Sequence, residues 1–206
     1  MLRIWGRLSS INVRKVVLAA QWLGLPFERI DAGAEFGIVT MPEFRARNPN
    51  AMVPLVDDEG FTLWESNVIV RYLCAKHSPG GLYPAALAER FDAERWMDWQ
   101  QTTLNPAGRE AFIQLVRTPA DRRSDPAIAR SVALTAPLLD MLDRKLASQR
   151  HMAGEQFSMA DIPIACEIHR WLGLPLQHPS RPALEQWYRG ILGQPATRGV
   201  LDLPLA

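Results

Sequence analysis

The spacing of apolar residues changes once along the chain, and this change constrains the fold more than any single motif. From Leu2 to about His77, short candidate strands alternate with candidate helices, whereas from about Ala88 the apolar spacing is helical almost throughout. A segment rich in proline and glycine separates the two halves. We therefore predict an α/β N-terminal domain at residues 1–78, a linker at 79–87 and an all-helical C-terminal domain at 88–206.

The first half predicts the order β-α-β, a loop with a helical turn, then β-β-α. Strands at Leu2–Ile4 and Phe27–Ile30 flank a helix at 13–23, which Gly24 and Pro26 close. Such a βαβ unit implies parallel strands joined by a right-handed crossover. The other predicted elements are strands at 53–56 and 62–63, joined by a turn at 57–60, and helices at 66–75, 89–116, 126–148, 159–171 and 183–192.

Charge and cysteine content narrow the classes of partner. The 23 basic and 22 acidic residues leave a net charge of +1, which gives no field for nucleic acid or for an anionic membrane. Cys74 and Cys166 fit neither a metal site nor a CxxC redox pair, so a reducing compartment is expected. The N-terminus lacks a signal-peptide core and no run is long enough to span a bilayer. We predict a cytoplasmic protein with a small-molecule or protein partner and no metal.

Two short motifs indicate a ligand cradle in the first domain. Proline has no N–H to donate to a sheet, so Val53-Pro54 fits a strand start or edge where the Val53 backbone faces a bound peptide. Glu65-Ser66 then begins the next predicted helix, and a helix N-terminus favours anions. Ser66 is also suited to capping its own helix, so the motif alone leaves both roles open.

A third motif, Ser9-Ser10-Ile11-Asn12, lies between the first strand and the first helix. Small polar residues are common there as N-caps. A hydroxyl at the same place can instead donate to a ligand sulfur, and a hydrogen bond to the charged form of an acid favours its ionisation. A free thiol has a pKa of about 8.5, and each unit of lowering corresponds to about 1.4 kcal/mol, which one or two donors can supply.

With these motifs and a fourth, Ser158-Met159-Ala160-Asp161, the chain resembles the cytosolic glutathione transferases over essentially its whole length. The resemblance is to serine-type members of the bacterial theta, nu and phi kind. It implies a thioredoxin-like N-terminal domain, an all-helical C-terminal domain, glutathione as co-substrate and no permanently bound cofactor. It also implies a homodimer in which the first domain of each subunit packs on the second domain of the other.

The resemblance assigns roles to the residues of the motifs. Pro54 is expected to follow a cis peptide bond, with the Val53 backbone hydrogen-bonded to the cysteinyl part of glutathione. Glu65 and Ser66 are expected to hold the γ-glutamyl end. Ser10 aligns with the catalytic hydroxyl and Asn12 with an additional donor, while Ser9 stays as an adjacent alternative.

Two other mechanisms of the family do not match this sequence. No tyrosine lies near the N-terminus, since the first is Tyr72, and no cysteine occupies position 10. The tyrosine-type mechanism and a protein–glutathione mixed disulfide at that position are therefore not expected.

The loop before the proline departs from the family pattern. Relatives commonly read Asn-Pro-x-Gly-Lys-Val-Pro, but here Ala51 and Met52 remove the lysine that meets the glycyl carboxylate. Asn50 and Met52 are both expected to contact glutathione, and Asn50 is one candidate to replace the lysine. Arg45 and Arg47 are other candidates, although surface charge is the more common role for such arginines.

The fourth motif predicts structure rather than chemistry. Ser158 and Asp161 have the spacing of a capping box before an apolar helical run, with Asp in place of the usual Glu. We expect each to contribute about 1 kcal/mol to stability.

The second substrate is the least determined by sequence. Trp99 and Thr103 are candidates for the electrophile site, although aromatic residues at helical spacing are more often core. We predict a transferase whose activated glutathione thiol attacks a hydrophobic electrophile. A glutathione-dependent disulfide-bond reductase and a non-catalytic scaffold relative remain as alternatives.

Overall fold

Four short strands form one mixed sheet in the N-terminal half of the computed structural model, which describes all residues 1–206. The strand order is β2-β1-β3-β4, with β1 parallel to β2 and antiparallel to β3. The predicted βαβ unit and the hairpin are both present. The elements are β1 (Leu2–Trp5), α1 (Ile11–Trp22), β2 (Phe27–Ile30), α2 (Pro42–Arg47), β3 (Leu55–Asp58), β4 (Phe61–Trp64) and α3 (Ser66–His77).

The hairpin differs from its prediction in where the strands lie. Glu59 and Gly60 form its two-residue turn, both with positive φ, as a tight hairpin of right-handed twist requires. β3 begins at Leu55 and not at Val53, because Pro54 has no N–H and the Val53 backbone makes no hydrogen bond within the protein. The peptide bond between Val53 and Pro54 is cis, as the resemblance implies.

The sheet separates two cores. Leu2 and Ile4 of β1 face the larger core, which continues through the helical domain. Trp5 packs on the opposite face in a small cluster with Phe44 of α2 and Leu55. This alternation along one strand follows from the two-residue period of β structure.

Five helices make up the C-terminal domain, and none of the helices is long and apolar enough to cross a membrane. The helix predicted over 89–116 is helical throughout but contains two π-helical turns, at Gln100–Leu104 and Ile113–Arg117. Such turns often occur next to functional sites. The helices are α4 (Leu87–Trp99), α5 (Asn105–Phe112), α6 (Asp125–Ser148), α7 (Asp161–Leu172) and α8 (Pro182–Leu192).

The start of α7, a largely buried helix, is anchored by the Asp161 side chain. Asp161 is fully buried and accepts hydrogen bonds from the backbone N–H groups of Met152 and Ser158, both at 2.9 Å, and from the Trp187 indole at 3.0 Å. The Asp161–Ser158 bond is the reciprocal half of a capping box. Ser158 in turn accepts from the Ala160 N–H at 3.3 Å.

Buried polar contacts fix the helical domain against α1 and α3. The Lys15 ammonium donates to the Gln101 side-chain oxygen at 2.9 Å, and the Asn67 amide donates to the Met97 carbonyl at 2.7 Å. Both donors are buried, so these bonds orient one domain on the other.

Candidate active site

A cavity of about 330 Å³ lies between the two domains, beside the N-terminus of α1. The loops after β1 and before β3 form one wall, and α5, α7 and the C-terminal residues form the other. Its lining includes Ser9, Ser10, Asn12, Met52 and Val53 on the first side, and Asn105, Arg109, Phe112, Arg117, His169 and Arg170 on the second.

Ser10 has an unused hydroxyl at this cavity. It precedes α1 in an extended conformation, and its carbonyl accepts from the N–H groups of Val13 and Arg14. Its side chain makes no capping hydrogen bond, so the capping role that the sequence left open is not the one this conformation shows. The hydroxyl and the N-terminus of α1 are therefore both available to a negative charge in the cavity.

Asn12 links this point to the start of α3. The Ser66 hydroxyl donates to the Asn12 side-chain oxygen at 3.2 Å, across 54 positions of sequence. Since that oxygen accepts from Ser66, the Asn12 NH₂ group remains as a donor toward the cavity that Asn12 lines. The fold thus brings together two motifs that the sequence shows only separately.

The loop before Pro54 is held by its own polar groups. The Asn48 amide donates to the Met52 carbonyl at 2.8 Å, and the Asn48 oxygen accepts from the backbone N–H of Asn50 at 3.1 Å. Val53 lies at the cavity with free backbone groups. Asn50 is exposed and does not line the cavity.

Glu65 is an exposed carboxylate immediately before α3. Its φ of 71° is in the left-handed region, which is uncommon for a residue with a Cβ. It makes no ion pair within the protein and no capping bond. Pro54, Glu65 and Ser66 lie outside the cavity lining itself, next to Val53 and Asn12 that do line it.

Trp99 and Thr103, suggested for the electrophile site, are not among the residues that line the cavity. Trp99 packs edge-to-face on Trp96, with ring centroids 5.2 Å apart, in the partly buried rim of the core. Arg45 and Arg47 do not reach the cavity either, and the Arg47 guanidinium lies 4.4 Å from the Trp5 ring.

The second wall contains arginines that the sequence analysis missed. Arg109 lies on α5 and Arg117 in the π-helical turn after it, while Arg7 reaches the same cavity from the end of β1. Helical spacing offered a signal, because Arg109, Phe112 and Ile113 stand at positions i, i+3 and i+4 and share one face. Arg7 had no such signal, because its place depends on how the loop after β1 meets the helical domain.

Arg14 and His169 fasten the C-terminal residues over this wall. The Arg14 guanidinium donates to the carbonyls of Val200 and Pro204, at 2.8 and 2.7 Å, and to His169 Nε2 at 2.7 Å. His169 Nδ1 lies 2.9 Å from the Tyr188 hydroxyl, and Nε2 also lies 3.1 Å from the Leu203 carbonyl, so both ring nitrogens have polar neighbours. Burial, and then the positive charge of Arg14, lowers the pKa of His169 to about 4.

Two buried ionisable side chains, Lys15 and Cys166, lie at or near the cavity. Burial lowers the pKa of Lys15 to about 8, although the nearby Glu167 and Glu65 act in the opposite direction. Cys166 lines the cavity, but burial raises its pKa to about 12, so its thiol stays protonated at neutral pH. A thiol in that state is a poor nucleophile.

Comparison with known proteins decides the family. Residues 9–76 match the family model "Glutathione S-transferase, N-terminal domain", and residues 105–195 match "Glutathione S-transferase, C-terminal domain". The chain is 41% identical to glutathione S-transferase GstB of Escherichia coli K12, over 100% of both chains. The chain belongs to the glutathione S-transferase family.

Structural likeness of this transferase to a solved relative is equally complete. The theta class glutathione S-transferase of the citrus canker pathogen Xanthomonas axonopodis pv. citri, solved with glutathione bound, matches with a TM-score of 0.95 and 40% identity. The match covers 100% of this chain and 99% of that one. Glutathione S-transferase 3 of Zea mays is 29% identical over 99% of this chain and 95% of its own length. The predictions of family, fold class and transferase activity are confirmed.

Proposed function

We propose that this transferase binds glutathione along the first wall of the cavity and activates its thiol with the Ser10 hydroxyl. The observation that carries the proposal is the uncapped Ser10 side chain, which faces the cavity at the N-terminus of α1. The thiolate would accept from this hydroxyl and from Asn12, both of which favour the charged form of the sulfur. The thiol proton leaves to solvent.

The rest of the tripeptide would extend from Val53 to the start of α3. The free N–H and C=O of Val53 suit the cysteinyl backbone, as one more strand-like pairing. The Ser66 N–H at the start of α3 suits the γ-glutamyl carboxylate, and the Ser66 hydroxyl would join it by exchanging its bond to Asn12 for one to the ligand. The unpaired Glu65 suits the ammonium of the same end. We place this cradle in residues 1–78 and the wall for the second substrate in residues 88–206, joined by 79–87.

Chemistry then consists of one substitution or addition at carbon. The thiolate attacks an electrophilic carbon held against the second wall and a C–S bond forms. In a substitution the leaving group departs with its electron pair, and in an addition the resulting carbanion takes a proton from solvent. Most of the acceleration would come from placing the two reactants together and from stabilising the thiolate. Met52, which is exposed at the cavity mouth, would contribute apolar contact only.

The decisive experiment measures the ultraviolet absorbance of the bound thiolate against pH in wild type, Ser10→Ala, Ser9→Ala and Asn12→Ala. We expect Ser10→Ala to raise the pKa of bound glutathione by about one unit or more and to reduce kcat roughly tenfold, since one unit corresponds to about 1.4 kcal/mol. Asn12→Ala should have a smaller effect of the same sign. The same loss in Ser9→Ala, with Ser10→Ala unchanged, would transfer the role to Ser9.

We also propose that the functional unit is a cytoplasmic homodimer. Apolar side chains stand exposed on β4 and α3 of the first domain and on α4 of the second, which suits packing of the first domain of one subunit on the second domain of the other, namely Phe61, Val68, Leu87 and Phe91. The two free, buried cysteines fit a reducing compartment. Light scattering of the purified protein tests the oligomeric state, and a mass of 23.2 kDa would contradict the dimer.

A further inference from the structure

Three guanidinium groups line the cavity without any partner in the protein. Arg7, Arg109 and Arg117 make no ion pair and donate no side-chain hydrogen bond, although the Arg117 guanidinium lies 4.9 Å from the Phe112 ring centroid. The other two cavity arginines are already engaged. Arg170 pairs with Glu167, and Arg14 is occupied by carbonyls of the C-terminal residues. The three unpaired groups therefore have donors available to a ligand.

The charged side chains that line this cavity are all basic. Five arginines are among its lining residues, and no aspartate or glutamate side chain is. Partial burial lowers the pKa of Arg117, and the positive charges of Arg7, Arg170 and Arg109 lower it further, with Glu35 acting in the opposite direction. These guanidiniums are thus close enough to repel one another, and an anion among them would relieve that repulsion.

Two of the three unpaired arginines lie in the helical domain, away from the groups proposed to bind glutathione. Arg109 and Arg117 belong to the helical domain, whereas the groups suited to the glutathione backbone and γ-glutamyl end all belong to the first domain. Arg109 and Arg117 are exposed and Arg7 is half-buried, so a purely hydrophobic electrophile would cover their guanidiniums without offering them an acceptor, whereas an anionic one would pair with them. The sequence analysis expected a hydrophobic electrophile, and this wall favours a different chemistry.

Resting on the proposed function, we infer that the second substrate of this transferase is a small electrophile that carries a carboxylate. Its anionic group would be held by Arg109 and Arg117, which are exposed, with the half-buried Arg7 beside them, so that the reactive carbon faces the glutathione sulfur near Ser10. For a chloride leaving group, the C–S bond forms, the C–Cl bond breaks with its electron pair on chloride, and the thiol proton passes to solvent. Arginine suits this role because its planar fork matches a carboxylate.

A pair of probes isolates the anionic group. 4-Chloro-3-nitrobenzoate and 4-chloro-3-nitrobenzamide offer the same carbon, leaving group and ring, and differ in charge. For each probe, kcat/KM is divided by the rate constant of its uncatalysed reaction with glutathione, which removes intrinsic reactivity. We expect wild type to prefer the benzoate, and the preference to weaken at high salt because the charges at the cavity mouth are screened.

Variants then assign the preference to residues. Arg109→Gln and Arg117→Gln should each raise KM for the benzoate by roughly tenfold, the size expected for a charge-assisted hydrogen bond, and leave both the benzamide and glutathione parameters unchanged. Arg144→Gln is the matched control, because Arg144 is exposed on α6, makes no ion pair and does not line the cavity. It removes the same net charge and should leave the preference intact.

The outcomes separate this inference from the proposed function. Conjugation of both probes without a preference for the benzoate overturns the inference and leaves the transferase mechanism standing. A rise in KM for glutathione in the arginine variants, with the benzoate unaffected, also overturns it, since the arginines would then hold the glycyl carboxylate. Failure of both probes to react above the uncatalysed rate, together with no thiolate signal, overturns the proposed function as well.

Discussion

The two walls of the cavity present different chemical groups. The first uses backbone groups, a small hydroxyl and a helix N-terminus, as at Ser10 and Val53, whereas the second uses long charged side chains on α5 and imidazole and guanidinium groups on α7. Backbone groups are positioned by the fold itself, so they suit one invariant ligand. Long side chains can be replaced without altering the fold, so they suit recognition of one particular second substrate.

This difference suggests that thiol activation and the choice of electrophile belong to different walls. If the first wall activates the thiol and the second selects the electrophile, changes on the first should alter all reactions equally. Substitutions on the second wall should change the rates with some electrophiles more than with others, or destabilise the helices that form the wall. Variants that alter one wall at a time therefore test whether the two roles are separate.

The largest effect should come from the anchor of the second wall. Asp161→Ala leaves the N–H groups of Met152 and Ser158 and the Trp187 indole buried without an acceptor. Since each unsatisfied buried donor costs about 1–3 kcal/mol, we expect a loss of about 4 kcal/mol in the free energy of unfolding, measured by urea denaturation. α7 carries His169 and Arg170, so the cavity wall should loosen together with the fold.

Ser158→Ala is the graded counterpart of this test. It removes hydroxyl bonds of 3.3 and 3.4 Å but keeps the N–H bond to Asp161, so about 1 kcal/mol is expected. Equal losses in the two variants would contradict the assignment of Asp161 as the anchor.

A smaller effect should depend on pH and involve His169. With a folded-state pKa of about 4 against 6.5 when unfolded, the unfolded chain binds the extra proton between these values, so stability should fall as the pH drops from 6.5 to 4. The shift corresponds to at most about 3 kcal/mol. Besides the cost of charging a buried ring, the added proton would bring a second positive charge next to the Arg14 guanidinium, 2.7 Å from Nε2, and this disfavours protonation of the folded protein.

His169→Gln should flatten this pH dependence relative to wild type. The measurement is the free energy of unfolding by urea at pH 4, 5, 6 and 7, taken as the difference between the two proteins so that carboxylate titrations cancel. His77→Gln, at the exposed end of α3, serves as the control for loss of an imidazole. Parallel curves for wild type and His169→Gln would show that His169 is not the group responsible.

The same contrast explains how much could be predicted from sequence. The first wall and the neighbouring start of α3 come from three short runs, 9–12, 53–54 and 65–66. Within each run, neighbouring residues in the sequence are also neighbours at the site, so a motif predicts its members together. The structure adds the long-range Ser66–Asn12 hydrogen bond and the free Ser10 hydroxyl. Fold class, too, followed from local patterns, because strand and helix periods differ so strongly.

The second wall was not predictable in the same way. Trp99 and Thr103 are predicted as an aromatic wall and a polar neighbour on the first long helix of the second domain, but the direction of a helical side chain depends on packing and on each π-helical turn that shifts the register. Gln100–Leu104 is such a turn, and it precedes Arg109 on α5. Arg7 and Arg117 come from opposite domains, and only the tertiary fold places both at one cavity.

The smallest predicted effect tests the first wall for binding alone. Glu65→Gln removes the charge proposed to meet the glutathione ammonium, at a site away from the sulfur. Because Glu65 is exposed, water screens its attraction for the ammonium to about 0.5–1 kcal/mol, so the Kd for glutathione, measured by calorimetry, should rise roughly two- to fivefold. The pKa of the bound thiol and kcat at saturating glutathione should stay near their wild-type values. Glu59→Gln is the matched control, because Glu59 is also exposed with positive φ but lies in the β3–β4 turn. A lower kcat with an unchanged Kd in Glu65→Gln would mean that this wall does not separate holding glutathione from activating it, and the division between Glu65 and Ser10 would have to be abandoned.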